Sequence, residues 1–326
     1  MSTRVHVLSR GDARQLETFR RLAPEGVEVV WVDVTQPLDQ QVAQLQDAVA
    51  VIAAPPVFPV DLALRCRNLR LIQTVSAGTN TIDIAALQEL GIKVANNGGG
   101  NAVAVSEHTI ALMVSVYRKM HLQFQAVKNR QWAGDIRTAW ISGAYELTDK
   151  TVGIVGFGRI GQRVARRLQG WDCKLIYHDV VSYPPALEQE LHITRVGGLD
   201  DLLRTADIVT LHVPLTRKTR GMISDKEFGL MKPTAVLINA CRGPVVDEAA
   251  LIRAMQAKKI LAAGLDVLEE EPTPVNNPLL DMDNVLITPH LAAFAQESYE
   301  KQSAFAIQNT ARVARGEEPE SVVDYF

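Results

Sequence analysis

The chain is poor in cysteine: Cys66, Cys173 and Cys241 are odd in number, widely spaced and form no C-x-x-C pair. That usage argues against a disulfide framework and for reduced thiols, as in a cytoplasm. The histidines lack a spacing that would gather ligands on one helical face, so no metal site is expected. No uninterrupted apolar stretch reaches the length of a membrane helix, and the N-terminus passes from Arg4 straight into a strand-like Val5-His6-Val7-Leu8. These features point to a soluble protein with no membrane span and no signal peptide. An excess of one charge is also missing. With a formal net charge of −3 and dispersed charged residues, there is no basic field to attract nucleic acid. Low-complexity segments are absent, and no sequence repeat relates the two halves.

What is present is apolar material in quantity. At 326 residues, 47% of them hydrophobic, the chain exceeds one typical domain, and two α/β domains are expected. In the first 100 residues, strands are read at Val27 to Val32, Val49 to Ala53, Leu71 to Val75 and Ile92 to Ala95, separated by helix-like segments. Such alternation suggests parallel βαβ units with both sheet faces covered. The run Asn96-Asn97-Gly98-Gly99-Gly100-Asn101 breaks this pattern and leads into a long helix from about Ala102 to His121. A second α/β pattern follows, with six strands read at Thr151 to Val155, Lys174 to His178, Asp207 to Val213, Ala235 to Asn239, Leu261 to Val267 and Val285 to Thr288. Ser224 with Glu227 reads as a capping box, and Asp247 with Glu248 as a helix start where carboxylates suit the dipole. A final helix is expected from roughly Glu297 to Arg315.

Gly156, Gly158 and Gly161, in Val-Gly-Phe-Gly-Arg-Ile-Gly-Gln, lie between the apolar run Thr151 to Val155 and an amphipathic run in which Ile160, Val164 and Leu168 recur every four residues. The glycines therefore mark a strand-to-helix turn. Without side chains, such a turn lets a pyrophosphate touch backbone N–H groups at a helix N-terminus, while the third glycine lets helix and strand pack closely. Three glycines alone could be an ordinary tight turn. Asp179 decides for a dinucleotide, because it ends the next apolar run near the roughly 20-residue spacing of the carboxylate that holds ribose hydroxyls. It would repel a 2′-phosphate, and its neighbours Val180 and Val181 supply no cation to offset that, so NAD is favoured over NADP.

Arg242, Glu271 and His290 each follow a strand of the second half, where this fold borders its cofactor crevice. A guanidinium can grip carboxylate and carbonyl oxygens together, and an imidazole can exchange a hydroxyl proton near neutral pH. A neighbouring carboxylate would raise the imidazole pKa and fix its tautomer. Together they suit oxidation of a hydroxy acid or reduction of a keto acid. Taken singly, each could be a solvated surface charge, and Glu269-Glu270-Glu271 a plain acidic loop.

On these residues the chain resembles the D-isomer-specific 2-hydroxyacid dehydrogenases, including glyoxylate/hydroxypyruvate reductase-like and phosphoglycerate dehydrogenase-like members. The resemblance runs from Thr74-Val75-Ser76-Ala77-Gly78-Thr79-Asn80 through Val155 to Gln162, Leu211 to Thr216, Asn239 to Asp247, Leu265-Asp266-Val267 with Glu270-Glu271-Pro272, and Thr288-Pro289-His290. It implies that Arg242 anchors and polarises the substrate, that His290 is the acid/base and Glu271 its support, and that backbone at Ser76, Ala77 and Gly78 holds the substrate carboxylate. For the cofactor it implies Arg159 and Ile160 at the pyrophosphate, Asp266 at the nicotinamide carboxamide, and His212, Val213, Pro214, Ala240 and Cys241 lining the site with His290. The implied fold is a Rossmann cofactor domain, residues 101–293, inserted in a flavodoxin-like substrate domain, residues 1–100 and 294–326. A homodimer is also implied, with Trp132 and Trp140 in a segment that packs on the second subunit.

Several residues have plainer readings. Cys241 could be an activated thiol beside Arg242, but a small buried residue is the simpler account. His6, His108, His121, His178 and His192 are read as core or surface residues, and Met113 and Met120 as core. Phe294, where many relatives carry small residues, is expected to narrow the substrate pocket or to rest against the helix that follows Asn101. The chain stops at Phe326, soon after His290, so the regulatory domain of some phosphoglycerate dehydrogenases is not expected. Two other activities stay open. Formate or phosphonate oxidation is one, although formate dehydrogenases pair the histidine with Gln where this chain has Glu271. The other is a non-catalytic NAD-sensing scaffold like the corepressors built on this fold.

Overall fold

Val5, Val7, Leu8, Val51, Ile52, Leu71 and Ile72 have no solvent exposure, because the strands that carry them are covered on both faces, as parallel strands are. In the computed structural model, which describes residues 3–134, 137 and 143–323, five strands form the first sheet: β1 (Thr3–Ser9), β2 (Val27–Asp33), β3 (Ala50–Ala54), β4 (Leu71–Thr74) and β5 (Lys93–Ala95). Their order is β2-β1-β3-β4-β5 and every pairing is parallel, the flavodoxin-like order. The Gln296–Ala314 helix covers one face, with Ala306, Ile307 and Ala311 against Val5, Val7 and Ile52. Beyond it, Val322 bridges Ala95 in antiparallel sense and the Val323 N–H donates to the Val94 carbonyl at 2.8 Å. That contact occupies the outer edge of β5, which would otherwise present unpaired backbone groups.

The second sheet has seven strands in the order β12-β11-β10-β9-β6-β7-β8, again all parallel. They are β6 (Thr151–Val155), β7 (Lys174–His178), β8 (Ile193–Arg195), β9 (Ile208–Leu211), β10 (Val236–Asn239), β11 (Ala262–Leu265) and β12 (Val285–Ile287). The strand order reverses beside β6, which makes the end of β6 the switch point where ligands of such sheets bind. Successive side chains go to opposite faces. Val236 and Ile238 join one core with Leu112, Met113 and Val164, while Leu237 joins the other with Leu202, Leu251 and Ala254. Each fully buried Leu or Ile of this kind contributes about 1.5–3 kcal/mol.

The backbone forms two compact units, one of Met1–Asn101 with Phe294–Phe326 and one of Ala102–Ala293. No helix among the described residues is long and apolar enough to cross a membrane. Both start signals read from the sequence are present: the reciprocal Ser224–Glu227 capping box, and Asp247 accepting from the Ala250 N–H.

Two expectations need correction. The helix from Ala102 stops at Tyr117 and a separate one spans Met120–Lys128. Lys119 between them is left-handed at φ 49°, and the Tyr117 carbonyl accepts from the Tyr145 N–H instead of continuing the helix. The second sheet has a seventh strand, β8, which holds only three residues of which one is buried, too short a run to register as apolar. Other strand ends differ by one or two residues; β9, for instance, ends at Leu211.

Candidate active site

The turn after β6 is built from three glycines with three different surroundings. Gly156 has φ +89°, and a Cβ there would lie 2.6 Å from the His212 carbonyl oxygen. At Gly161 a Cβ would lie 2.3 Å from the Gly156 carbonyl oxygen, so the Arg159–Arg167 helix sits directly on the strand end. Gly158, which caps that helix, has open space where a Cβ would be. Helix-terminal N–H groups therefore meet unobstructed space, the cradle a pyrophosphate needs. Phe157 anchors the turn from beneath, fully buried and stacked on Tyr177 at 4.2 Å.

Asp179, one residue past β7, accepts the Phe157 N–H at 2.6 Å through Oδ2 and the Val181 N–H at 2.8 Å through Oδ1. The carboxylate is partly exposed and clasped by the glycine turn. Burial, and next the Asp179 charge, push the Tyr183 hydroxyl above its ordinary pKa. A cation does reach this position, contrary to the sequence reading that considered only Val180 and Val181. Arg195, on the unanticipated β8, donates to the Asp179 carbonyl at 3.0 Å and to Ser182 Oγ at 2.7 Å.

His212, Val213 and Pro214 follow β9. The His212 Nε2 lies 3.0 Å from Thr210 Oγ1, its Nδ1 is buried with no hydrogen-bond partner among the described residues, and burial drives the imidazole down to about 3. After β10, Asn239 shapes the next loop. Its Oδ1 accepts from the Cys241 N–H at 3.0 Å and from the thiol at 3.1 Å, and its Nδ2 donates to the Arg242 carbonyl at 3.0 Å. Burial pushes the Cys241 thiol up to about 11, so it is a buried structural thiol and not an activated one. Ala240 packs with Ile160, Val105 and Ala292, which joins the loop after β10 to the glycine-turn helix.

Asn239, Leu265 and Ile287 are in register across the adjacent strands β10, β11 and β12. Arg242 and His290 each follow three residues after their strand's registered position, and Asp266 and Glu271 leave the strand between them. The Arg242 Nη1 donates to the Cys241 carbonyl at 2.5 Å. His290 Nδ1 lies 2.5 Å from Glu271 Oε2, and Glu271 Oε1 accepts the Leu268 N–H at 3.0 Å. Because an ionised carboxylate only accepts, Nδ1 carries the proton and Nε2 is the nitrogen left for exchange. The backbone at His290 is left-handed, φ 55°, and its N–H donates to the Asp266 and Thr288 carbonyls at 2.8 and 3.0 Å. Asp266 is 1% exposed, and its carboxylate accepts from Thr288 Oγ1, Leu291 N and Ala292 N.

Ser76, Ala77 and Gly78 belong to the first unit, just past β4. The Thr74 hydroxyl donates to the Ser76 carbonyl at 2.9 Å, Ser76 Oγ donates to the Gly78 carbonyl at 2.7 Å, and the Asn97 N–H donates to the Ser76 carbonyl at 3.2 Å. With those carbonyl oxygens engaged from within, the loop is held in one shape. Phe294, at the start of the returning segment, is 77% exposed.

Residues 110–292 match the family model described as D-isomer specific 2-hydroxyacid dehydrogenase, NAD binding domain. The chain belongs to that family. It is 38% identical over 257 residues to a glyoxylate reductase of Thermofilum pendens, covering 79% of this chain and 75% of that one. To a D-3-phosphoglycerate dehydrogenase of Archaeoglobus fulgidus it is 38% identical over 270 residues, covering 82% of this chain but only 49% of that longer protein. The holo structure of Rhodotorula graminis D-mandelate dehydrogenase superposes with a TM-score of 0.86 at 26% identity, covering all of this chain and 99% of that one. As a member of this family, the protein is an NAD-dependent oxidoreductase.

Three groups near the site escaped the sequence reading. His108, read as core or surface, has its Nε2 2.9 Å from Thr288 Oγ1. Its one local signal is an imidazole on a largely apolar helix. Asn239 was visible only as part of a motif, and Arg195 gave no local signal.

Proposed function

We propose that this dehydrogenase transfers hydride reversibly between NAD and a small 2-hydroxy or 2-keto acid, with glyoxylate and hydroxypyruvate the first substrates to test. The Glu271–His290 contact of 2.5 Å beside the Arg242 loop is the observation that carries this reading. In the direction of reduction, the Arg242 guanidinium grips the substrate carboxylate and polarises the keto oxygen. His290 Nε2 delivers the proton to that oxygen as C2 takes up hydride, and Glu271 stabilises the imidazolium and holds the ring in one tautomer. Oxidation runs the same proton in reverse. Bound NAD supplies the hydride acceptor or donor, which no side chain can.

The second unit would be the NAD-binding domain, with the Gly156–Gly161 turn, Arg159 and Ile160 holding the pyrophosphate, Asp179 the ribose, and His212, Val213, Pro214, Ala240, Cys241 and Asp266 lining the nicotinamide side. Its open space at Gly158 supports that assignment. The first unit would be the substrate domain, with Ser76, Ala77 and Gly78 offering backbone donors to the carboxylate. A homodimer is supported by Phe124 and Val127, 64% and 55% exposed on one face of the Met120–Lys128 helix, with Trp132, 71% exposed, close behind in sequence. Apolar surface of that kind marks a contact; Trp140 lies outside the described residues. Three free thiols support a reducing compartment such as the cytoplasm, and the net charge of −3 supports small-molecule partners over nucleic acid.

The test is steady-state kinetics with glyoxylate, hydroxypyruvate, pyruvate and phenylpyruvate, each with NADH and NADPH, beside the His290→Asn variant. Turnover of at least one acid, with NADH preferred and kcat lowered roughly 10²- to 10⁴-fold in the variant, is the expected result. Turnover of none, or full activity without the imidazole, overturns the reading.

A further inference from the structure

Asp266 carries a carboxylate with almost no exposure to water, a state tolerated only where hydrogen bonds or a cation offset the lost hydration. Two of its donors are the backbone N–H groups of Leu291 and Ala292, at 3.0 and 2.9 Å, which flank His290 on its C-terminal side. The third is Thr288 Oγ1 at 2.6 Å, two residues to the other side. One residue thus pins both shoulders of the turn that presents His290. That turn needs pinning, because a non-glycine residue in the left-handed region sits there only when its surroundings hold it.

The support continues one step further out. Since the single hydroxyl proton of Thr288 goes to the acceptor-only carboxylate, its oxygen must act as acceptor toward His108, whose Nε2 lies 2.9 Å away. His108 therefore carries a proton on Nε2. The same nitrogen is 3.5 Å from Asp266 Oδ1, so His108 faces both Thr288 and Asp266. His108 stands on the Ala102–Tyr117 helix, which packs against the sheet through Leu112, Met113 and Val116. It joins a rigid element to a turn that has no regular structure of its own.

We propose that His108 is a positioning residue for His290, acting through Thr288 and Asp266 and touching neither substrate nor proton in flight. The Nε2–H donor orients Thr288, Thr288 and the two backbone N–H groups fix the Asp266 carboxylate, and the carboxylate sets the turn from which His290 meets Glu271. This assignment rests on His290 being the acid/base, and the test separates the two claims.

Four variants are compared: His108→Gln, which keeps an N–H donor at similar reach; His108→Phe, which keeps the ring and loses the donor; Thr288→Val; and His290→Asn. The readouts are kcat and KM for the keto acid, NADH affinity by fluorescence, melting temperature, and the downfield Nδ1 proton resonance of the His290–Glu271 pair. For His108→Phe the expected outcome is a fall in kcat of roughly tenfold, the worth of one lost hydrogen bond, with NADH affinity retained and the resonance broadened. His108→Gln restores kcat and the resonance. Thr288→Val repeats the His108→Phe effect, and the double variant is no worse than either single, as expected for residues acting in one chain. An unchanged kcat and resonance in His108→Phe, with turnover abolished in His290→Asn, overturns this proposal alone. Loss of the resonance without loss of turnover in His290→Asn overturns the acid/base reading beneath it. Should His108→Phe fail to fold, a Thr288→Val protein with the parent's kcat and resonance would overturn the proposal.

Discussion

Gly243 follows Arg242, and a Cβ built there would lie 1.7 Å from the Leu268 carbonyl oxygen, 2.0 Å from its carbon and 2.6 Å from the Glu269 nitrogen. All three obstacles are backbone, so no side-chain rotation can relieve them. To bring the shortest contact out to the 3.0 Å that real Cβ atoms respect, the loop after β10 and the Leu268–Glu269 segment must separate by about 1.3 Å. That segment leads to Glu271, and Arg242 is the other neighbour displaced. A misplacement of about 1 Å between reacting groups costs on the order of 10²-fold. Gly243→Ala should therefore lower kcat/KM by roughly that factor and, as overpacking of about 1–3 kcal/mol, lower the melting temperature by on the order of 5 °C. NADH affinity should be largely kept, because the glycine turn and Asp179 stand on β6 and β7. Gly229→Ala is the control: it lies in the Asp225–Leu230 helix with nothing near its missing Cβ, and should add about 0.5–1 kcal/mol of stability. Turnover and calorimetry on the two variants decide. A Gly243→Ala protein with kcat/KM and melting temperature within error of the parent refutes the reasoning.

Asp179→Ser should raise kcat/KM with NADPH by on the order of tenfold, because Arg195 and Ser182 then face a 2′-phosphate without a competing carboxylate. Adding Arg195→Ala should remove that gain, and a double variant that keeps it would show that Arg195 has no part. Burial lowers the pKa of both His6 and His212, the latter to about 3. Both bind a proton more weakly in the folded chain than in the unfolded one, where they titrate near 6.5. Their contribution to stability is therefore full above that pH and is lost as pH falls below it, for His212 down toward 3. For His212 the loss between pH 8 and pH 5 is at most about 2 kcal/mol. Urea unfolding across that range checks it, and stability that stays flat or rises toward pH 5 contradicts the assignment.

Much of the architecture was legible because it is written in local patterns. The bounds of β6 and β7 follow from apolar runs that end at a glycine and at an aspartate, and the three glycines are spaced as a strand-to-helix turn requires. The capping box at Ser224 is a contact over three residues, and so it could be read from spacing alone. Lys119 shows the limit of such reading. The helix ends before it because the Tyr117 carbonyl finds Tyr145, a partner no periodicity reveals.

Residue types by themselves determined which chemistry was on offer: a guanidinium, an imidazole and carboxylates after strands, and a dinucleotide cradle with an acid beyond it. Which of them touch was decided only by the folded sheet. Among Glu269, Glu270 and Glu271, the structure puts Glu271 against His290, 19 residues away in sequence. His108 reaches Thr288 across 180 residues, and Arg195 reaches Asp179 from a strand of three residues. Such meetings depend on strand order and register, which a chain acquires by burying whole sheets, whereas spacing along the backbone constrains only neighbours within a turn or two.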